Sequence, residues 1–340
     1  MTPSSGTPGG VTDAEWSAAV SAVRGLAPGD EIQLICHVNP DGDALGSMLG
    51  FALGLRWLGF TRVRATFPGV FELPEPYRVL PGVELLSPGA FTSPSLVMTF
   101  DVAAESRLGS LAPLVAAAPC SVVIDHHGSN TRFGRVNLVD PRAAATSVVV
   151  DGLLGRLGVP IDAAIAECLY VALATDTGSF KFDMTTPAVH ELAARLIATG
   201  ISPGDISRRT FDTRPFGAVK LAGEVLGRAS LDPAAAGGHG MVWTWATQAD
   251  LERHDQKPYV LDTLIDPIRS VAEADVAVVV KQTGEAEWAV SLRSKGAVDV
   301  SRVAVALGGG GHRLAAGFTG HGTPDEVVAT VRAHLDENLI

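Results

Sequence analysis

The stretch Val122-Val123-Ile124-Asp125-His126-His127-Gly128 constrains this chain more than any other. An apolar β-branched run stops at a carboxylate and two imidazoles. Val and Ile suit a short strand buried on both faces of a sheet. Open α/β sheets place their ligand sites at the carboxyl ends of strands. Three other apolar runs end alike. Glu31–Cys36 is followed by His37 and then Asp41-Gly42-Asp43, Leu96–Phe100 by Asp101, and Tyr170–Thr175 by Asp176. One such ending is ordinary, since an Asp after a strand commonly makes a turn or a helix N-cap. Four in one chain imply convergence on one crevice.

The 340 residues suffice for two domains of ordinary size. Apolar residues are 46% and charged residues 19%, so a core can be buried and global disorder is excluded. No apolar run approaches the ~18 residues that cross a bilayer. Met1–Ser5 lacks the basic and apolar parts of a secretion signal. A soluble, cytoplasmic protein is expected. Cys36, Cys120 and Cys168 are far apart with no Cys-x-x-Cys spacing, which argues against a disulfide framework or a zinc ribbon. Buried reduced thiols are the reading for Cys36 and Cys120, ahead of a catalytic thiol beside His37. The net charge of −11 argues against a large basic surface for duplex DNA. A nucleotide held locally through metal ions remains compatible with it.

Residues 1 to about 12 read as a disordered tail rich in Gly, Pro, Ser and Thr. A helix to Leu26 follows, capped by Thr12 or Asp13. Strands are expected at 31–36, 62–67, 96–100 and 121–125, with helices from 44 to about 59 and from about Glu105 to Ala118, a βαβ series. Residues 68–94 are weakly patterned. Helices are expected at 143–157, 162–174 and 187–198, the second apolar enough to lie between layers, and then near 203–212 and 215–228. Later strands are expected at 241–246, 275–282 and 287–293, the last two a hairpin, with helices near 262–271, 299–306 and 324–337. The reading is α/β with two domains. A catalytic domain with a mainly parallel sheet spans 13–202, and 203–225 is a helical linker. A smaller domain with a mixed sheet spans 226–340, and the active-site cleft lies between the two.

The candidate ligands are His37, Asp41, Asp43, Asp101, Asp125, His126, His127 and Asp176. Carboxylates crowded into one crevice repel each other unless cations neutralise them. Carboxylate and imidazole donors without thiolates favour Mn²⁺ or a similar ion. Two ions ~3.5–4 Å apart, bridged by a carboxylate, are a recurring phosphoester-hydrolysis device. Asp140, Asp183 and Asp212 lack such a strand context and read as solvated or capping residues.

These residues match a family. His37-Val-Asn-Pro-Asp41-Gly-Asp43-Ala-Leu-Gly-Ser47, Asp101, Asp125-His126-His127 and Thr175-Asp176-Thr177-Gly178 resemble the four motifs of the DHH phosphoesterases. Gly308-Gly309-Gly310-Gly311-His312-Arg313-Leu314-Ala315-Ala316-Gly317-Phe318 resembles the signature of the DHHA1 domain that accompanies them. Length and layout are similar to the small nanoRNase/pAp-phosphatase subfamily, some members of which also cleave cyclic dinucleotides or their linear products. The resemblance implies two Mn²⁺ per chain, with Mg²⁺ or Co²⁺ as substitutes. One ion takes His37, Asp41 and Asp101; the other takes Asp43, Asp101, His126 and Asp176. His127 then touches the scissile phosphate, and Asp125 orients an imidazole. Only the resemblance separates the roles of His126 and His127.

The glycine run lacks a following Lys-Ser/Thr and is no Walker loop. With His312 and a preceding strand bearing Arg293-Ser294, it reads as a nucleotide-binding loop: Arg293, Ser294, Gly309, Gly310, Gly311 and His312 are the expected substrate residues. The function expected is a metal-dependent phosphohydrolase acting on short oligoribonucleotides or 3′-phosphoadenosine 5′-phosphate (pAp) or both, with cyclic or linear di-AMP as a further candidate; the sequence does not rank them. A homodimer is compatible; a membrane or large duplex nucleic acid is not expected. A family II inorganic pyrophosphatase would carry a Lys/Arg-rich signature in place of the glycines. A processive single-strand exonuclease would show a basic stripe and aromatic platforms, and a non-catalytic nucleotide sensor has no need of the full ligand set.

Overall fold

The computed structural model describes residues 10–337, so the first nine residues of the expected tail lie outside the described part. The chain divides into two compact units between Thr213 and Arg214.

The first unit opens with α1 (Asp13–Arg24), where Thr12 and Glu15 form a capping box. Five strands follow: β1 (Ile32–Cys36), β2 (Val63–Thr66), β3 (Leu96–Phe100), β4 (Ser121–Asp125) and β5 (Val136–Val139). All pair in parallel, in the order β2-β1-β3-β4-β5. Every residue of β1, β3 and β4 is buried, as their continuous apolar runs require. The helices are α2 (Gly42–Trp57), α3 (Ala112–Ala117), α4 (Thr146–Leu157), α5 (Ala163–Asp176), α6 (Pro187–Ile197) and α7 (Pro203–Thr210). One sheet face joins α2, α4 and α5 in the large core. The other carries Ile35 and Val97 against Leu108 and Val115.

Helix α2 packs closely on α5. A Cβ at Gly46 would lie 2.4 Å from the Cys168 carbonyl oxygen, so glycine there permits the approach. Glycine at this position thus serves helix-on-helix packing. The contact brings the start of α2 beside the end of α5, with Asp43 and Asp176 on them.

The expected helix from Glu105 to Ala118 is instead a 3₁₀ segment, Glu105–Leu111, continued by the short α3. Gly109 breaks it, with φ 49° and ψ −128°. Strand β5 was not foreseen; only half its residues are buried, so its run carries little apolar signal.

The second unit runs α8 (Phe216–Gly227), β6 (Ser230–Asp232), β7 (Met241–Ala246), α9 (Gln248–Arg253), α10 (Ile265–Arg269), β8 (Val276–Gln282), β9 (Glu287–Ser294), α11 (Val300–Ala306), β10 (Gly310–His312), β11 (Ala315–His321) and α12 (Pro324–Glu337). Its mixed sheet has the order β10-β11-β9-β8-β7-β6, with only β7 and β8 parallel. Apolar clusters cover both faces: Leu292, Val303 and Val331 belong to one, Val225, Leu264 and Val279 to the other. Strand β11, Ala-Ala-Gly-Phe-Thr-Gly-His, was missed because Ala and Gly are poor strand formers. Among the described residues no helix is long and apolar enough to cross a membrane.

Candidate metal centre

In this strand order the winding reverses between β1 and β3, the crevice where doubly wound sheets bind ligands. His37 follows β1, Asp101 follows β3, and Asp125-His126-His127 ends β4. Asp41 caps α2, accepting from the Ala44 N–H at 3.0 Å, and Asp43 lies in its first turn. Asp176 is the last residue of α5, so the fourth apolar run supplies its carboxylate from a helix end. Asp101 has φ +59°, a left-handed conformation that Asp and Asn tolerate best among side-chain-bearing residues. Its backbone N–H donates to the Ile124 carbonyl at 3.0 Å.

His37, Asp41 and Asp101 form one group of donor atoms, and Asp43, His126 and Asp176 another. His37 Nε2 is 3.3 Å from Asp101 Oδ2 and 3.8 Å from Asp41 Oδ2. His126 Nε2 is 3.0 Å from Asp176 Oδ2, 3.7 Å from Asp101 Oδ1 and 3.8 Å from Asp43 Oδ2. The two oxygens of Asp101 therefore face different imidazoles. Donors about 2.1 Å from a divalent ion, at octahedral or tetrahedral angles, are about 3.0–3.4 Å apart. Both groups fit that spacing closely enough to hold an ion each. The far ring nitrogens are oriented for it: His126 Nδ1 is 3.1 Å from the Ala143 carbonyl and His37 Nδ1 2.8 Å from that of Val38. A proton on Nδ1 leaves the Nε2 lone pair for a cation.

Asp101, Asp125 and His127 make a third group, and here Asp125 is committed to protein donors. Its Oδ1 accepts from the His126 N–H and pairs with His127 Nδ1, both at 2.8 Å. Its Oδ2 accepts from Asn130 Nδ2 at 2.6 Å. Asp125 thus orients His127.

Buried carboxylates and imidazoles shift one another strongly in this cluster. Burial pushes the Asp43 carboxyl well up, and the charges of Asp101 and Asp176 push it further. Burial opposes ionisation of Asp101 too, but the His37 hydrogen bond and the neighbouring His127 and His126 outweigh it and hold the carboxyl far below its usual range. Burial disfavours an imidazolium at His126, yet Asp176, Asp43 and Asp101 raise its pKa well above the ordinary value. His127 is raised against the same opposition by Asp125 and Asp101. Divalent cations bound there would favour the ionised carboxylates and the neutral imidazoles instead.

Sequence reasoning missed several supporting residues. The backbone N–H groups of Thr146 and Ser147 donate to Asp43 at 2.7 and 3.2 Å, and Ser47 Oγ adds a third bond at 2.9 Å. Thr146 Oγ1 donates to Asp101 Oδ1 at 3.0 Å. Asp43 thereby caps α4 from 103 residues away. The available signal was a helix start, Ala143-Ala144-Ala145, with no capping side chain of its own. Asn130 and Arg107, whose Nη2 lies 2.8 Å from His37 Nδ1, carried no local pattern. Cys36 is fully buried in the core, where burial drives its thiol well above the usual range, so it is no nucleophile.

The expected substrate residues lie on the second unit's sheet, except Gly309, which precedes β10. Arg293 on β9 and His312 on β10 both register with Ala315 on β11, so they share one face with a small residue between them. Ser294 lies next to Arg293 at the end of β9. Its side chain is fully buried and Oγ donates to Asp275 Oδ2 at 2.7 Å, so the hydroxyl is spent on the fold. Of the glycine run, Gly310 and Gly311 belong to β10. Gly311 has φ +140°, and a Cβ there would lie 2.5 Å from the Ala315 carbonyl; at Gly309 one would lie 2.1 Å from that of Gly317. Backbone packing against β11 explains these glycines without a ligand.

Residues 31–173 match the DHH family, N-terminal domain, and residues 246–339 the DHHA1 domain. The chain is 35% identical to a bifunctional oligoribonuclease and PAP phosphatase of Thermus thermophilus, over 85% of this chain and 83% of that one. A Bacillus subtilis protein of the same description is 26% identical, over 87% and 91%. A crystal structure of an exopolyphosphatase-related protein from Bacteroides fragilis superposes with a TM-score of 0.83 at 24% identity, covering 97% and 98%, and shares the fold. With both domains matched in order and the Thermus protein similar over most of its length, the chain belongs to the DHH family, carries a DHHA1 domain, and is a phosphoester hydrolase.

Proposed function

We propose that the chain hydrolyses short oligoribonucleotides and pAp to mononucleotides, using two Mn²⁺ held by His37, Asp41, Asp43, Asp101, His126 and Asp176. The observation that carries this reading is Asp101, whose oxygens face His37 on one side and His126 on the other. The substrate class rests on the Thermus and Bacillus relatives, each described as a bifunctional oligoribonuclease and PAP phosphatase. Bound ions would activate water and neutralise charge on the phosphoryl oxygens.

The chain's own residues do the rest. His127, oriented through Nδ1 by Asp125, would contact a phosphoryl or leaving-group oxygen and, as the imidazolium, donate a hydrogen to it from Nε2. Asn130 holds Asp125 from the far side and donates also to the Val102 carbonyl at 2.9 Å. Arg293 and His312, two strands apart and so about 10 Å between backbones, would grip the remote part of the substrate. Remote contacts of this kind position the reacting phosphate.

The test is a panel of a dinucleotide, pAp, a 30-mer, pyrophosphate and cyclic and linear di-AMP at equal concentration, with Mn²⁺ and then with chelator. Mononucleotide release from the dinucleotide and pAp, abolished by chelator, is expected. Equal rates per end on the 30-mer, or turnover of pyrophosphate alone, would reject the substrate class.

A further inference from the structure

We propose that Arg107 is a further substrate-contacting residue, gripping a phosphate oxygen on the His37 side of the cluster. This deepens the phosphoesterase reading and rests on it. The observation is a conflict of donors. His37 Nδ1 lies 2.8 Å from the Val38 carbonyl and 2.8 Å from Arg107 Nη2. A ring nitrogen offers either a hydrogen or a lone pair, and a guanidinium can only donate. The carbonyl contact requires the hydrogen on Nδ1, which is also the tautomer that frees Nε2 for a cation. Arg107 then has no acceptor at His37. Its other contact, the Val38 carbonyl at 3.5 Å, sits at the limit of hydrogen-bond length.

The backbone that carries the guanidinium is nonetheless fixed. The Arg107 carbonyl accepts from the Val38 N–H at 3.1 Å, and the Arg107 N–H donates to the Ala104 carbonyl at 3.0 Å, so its backbone is tied to the residue after His37. The residue is exposed at the rim of the cluster. Other arginines of this unit are committed elsewhere: Arg132 to Glu15 at 2.8 Å and Arg142 to Asp140 at 3.0 Å. Among the described residues no carboxylate forms an ion pair with Arg107. A planar donor fork beside a phosphoester site, without a protein anion of its own, suits a phosphate.

The experiment uses the full chain loaded with Mn²⁺, comparing wild type, Arg107→Ala and Arg107→Lys. Binding of the product probe AMP is followed by calorimetry, with metal content and melting temperature taken on the same preparations. Arg107→Ala should weaken AMP binding about 10- to 100-fold, with both ions and the fold retained. Arg107→Lys should fall between, since it keeps the charge and loses the fork. AMP affinity and turnover within about twofold of wild type would overturn the assignment while leaving the phosphoesterase reading intact. Weaker binding accompanied by loss of an ion would overturn it too, making Arg107 a support for His37. A wild-type protein that neither binds AMP nor hydrolyses any nucleotide would overturn both readings.

Discussion

Asp101→Asn tests the proposed centre most directly. The left-handed backbone at φ +59° suits Asn as well as Asp, so the change carries little backbone cost. Thr146 Oγ1 donates to Oδ1 at 3.0 Å and keeps an oxygen on that side. The new amide nitrogen therefore replaces Oδ2, the atom 3.3 Å from His37 Nε2. The His37 side then has a donor N–H where a ligand oxygen stood, leaving His37 and the more exposed Asp41 to hold an ion. The His126 side keeps a neutral oxygen beside His126, Asp43 and Asp176. Removing one partner from a buried charge pair costs about 3–5 kcal/mol. That is roughly 150- to 5,000-fold in ion affinity, falling first on the His37 side. Metal analysis after dialysis should give two ions per wild-type chain and about one per variant, with kcat/KM on a dinucleotide lower by at least ~10³-fold. Two tightly held ions and activity within tenfold of wild type would refute the bridging geometry. Loss from the His126 side first would refute the orientation set by Thr146.

Asn130→Ala should leave ion content unchanged, lower kcat about 10- to 100-fold with little change in KM, and cost about 1–3 kcal/mol in urea unfolding by stranding Asp125 Oδ2. In the metal-free protein the pKa values of Asp43, His126 and His127 are raised, so the folded state holds protons that the unfolded chain releases. Its stability should consequently fall as pH rises, through Asp43 from about 4 and through the two imidazoles as well above about 6.5, and Mn²⁺ should restore more melting temperature at pH 8.5 than at pH 6; a flat or rising chelated profile over that range would contradict this. Asp101 contributes the opposite slope only in acid, where its depressed carboxyl is protonated. Gly311→Ala, which places a Cβ 2.5 Å from the Ala315 carbonyl, should destabilise by about 1–3 kcal/mol. Gly308→Ala, with open space around it at φ +79°, should cost about 1–2 kcal/mol; equal stability of both variants with wild type would reject the packing explanation of the run.

What the sequence determined by itself was the set of chemical groups and the elements that end in them. β-Branched apolar runs such as Val122–Ile124 read as buried strands, and a strand that stops at Asp or His delivers that side chain to a sheet edge, so His37, Asp101 and Asp125 were legible at once. Asp176 was legible as a residue, and its placement at a helix end follows from the apolar 163–176 segment lying between helices. Tertiary structure decided the relations among these groups. That Asp101 turns one oxygen to each imidazole, that Asp43 caps α4 across 103 residues, and that Asn130 holds Asp125 depend on contacts between separate elements, for which local periodicity carries no signal. The glycines show the same division. Their count along α2 and at 308–311 was plain in the chain, but whether each faces a ligand or a neighbouring backbone depends on what packs within a few ångströms: Cys168 for Gly46, Ala315 for Gly311. A residue's type limits what it can do, and its neighbours, brought together by strand order and helix packing, select which of those things it does.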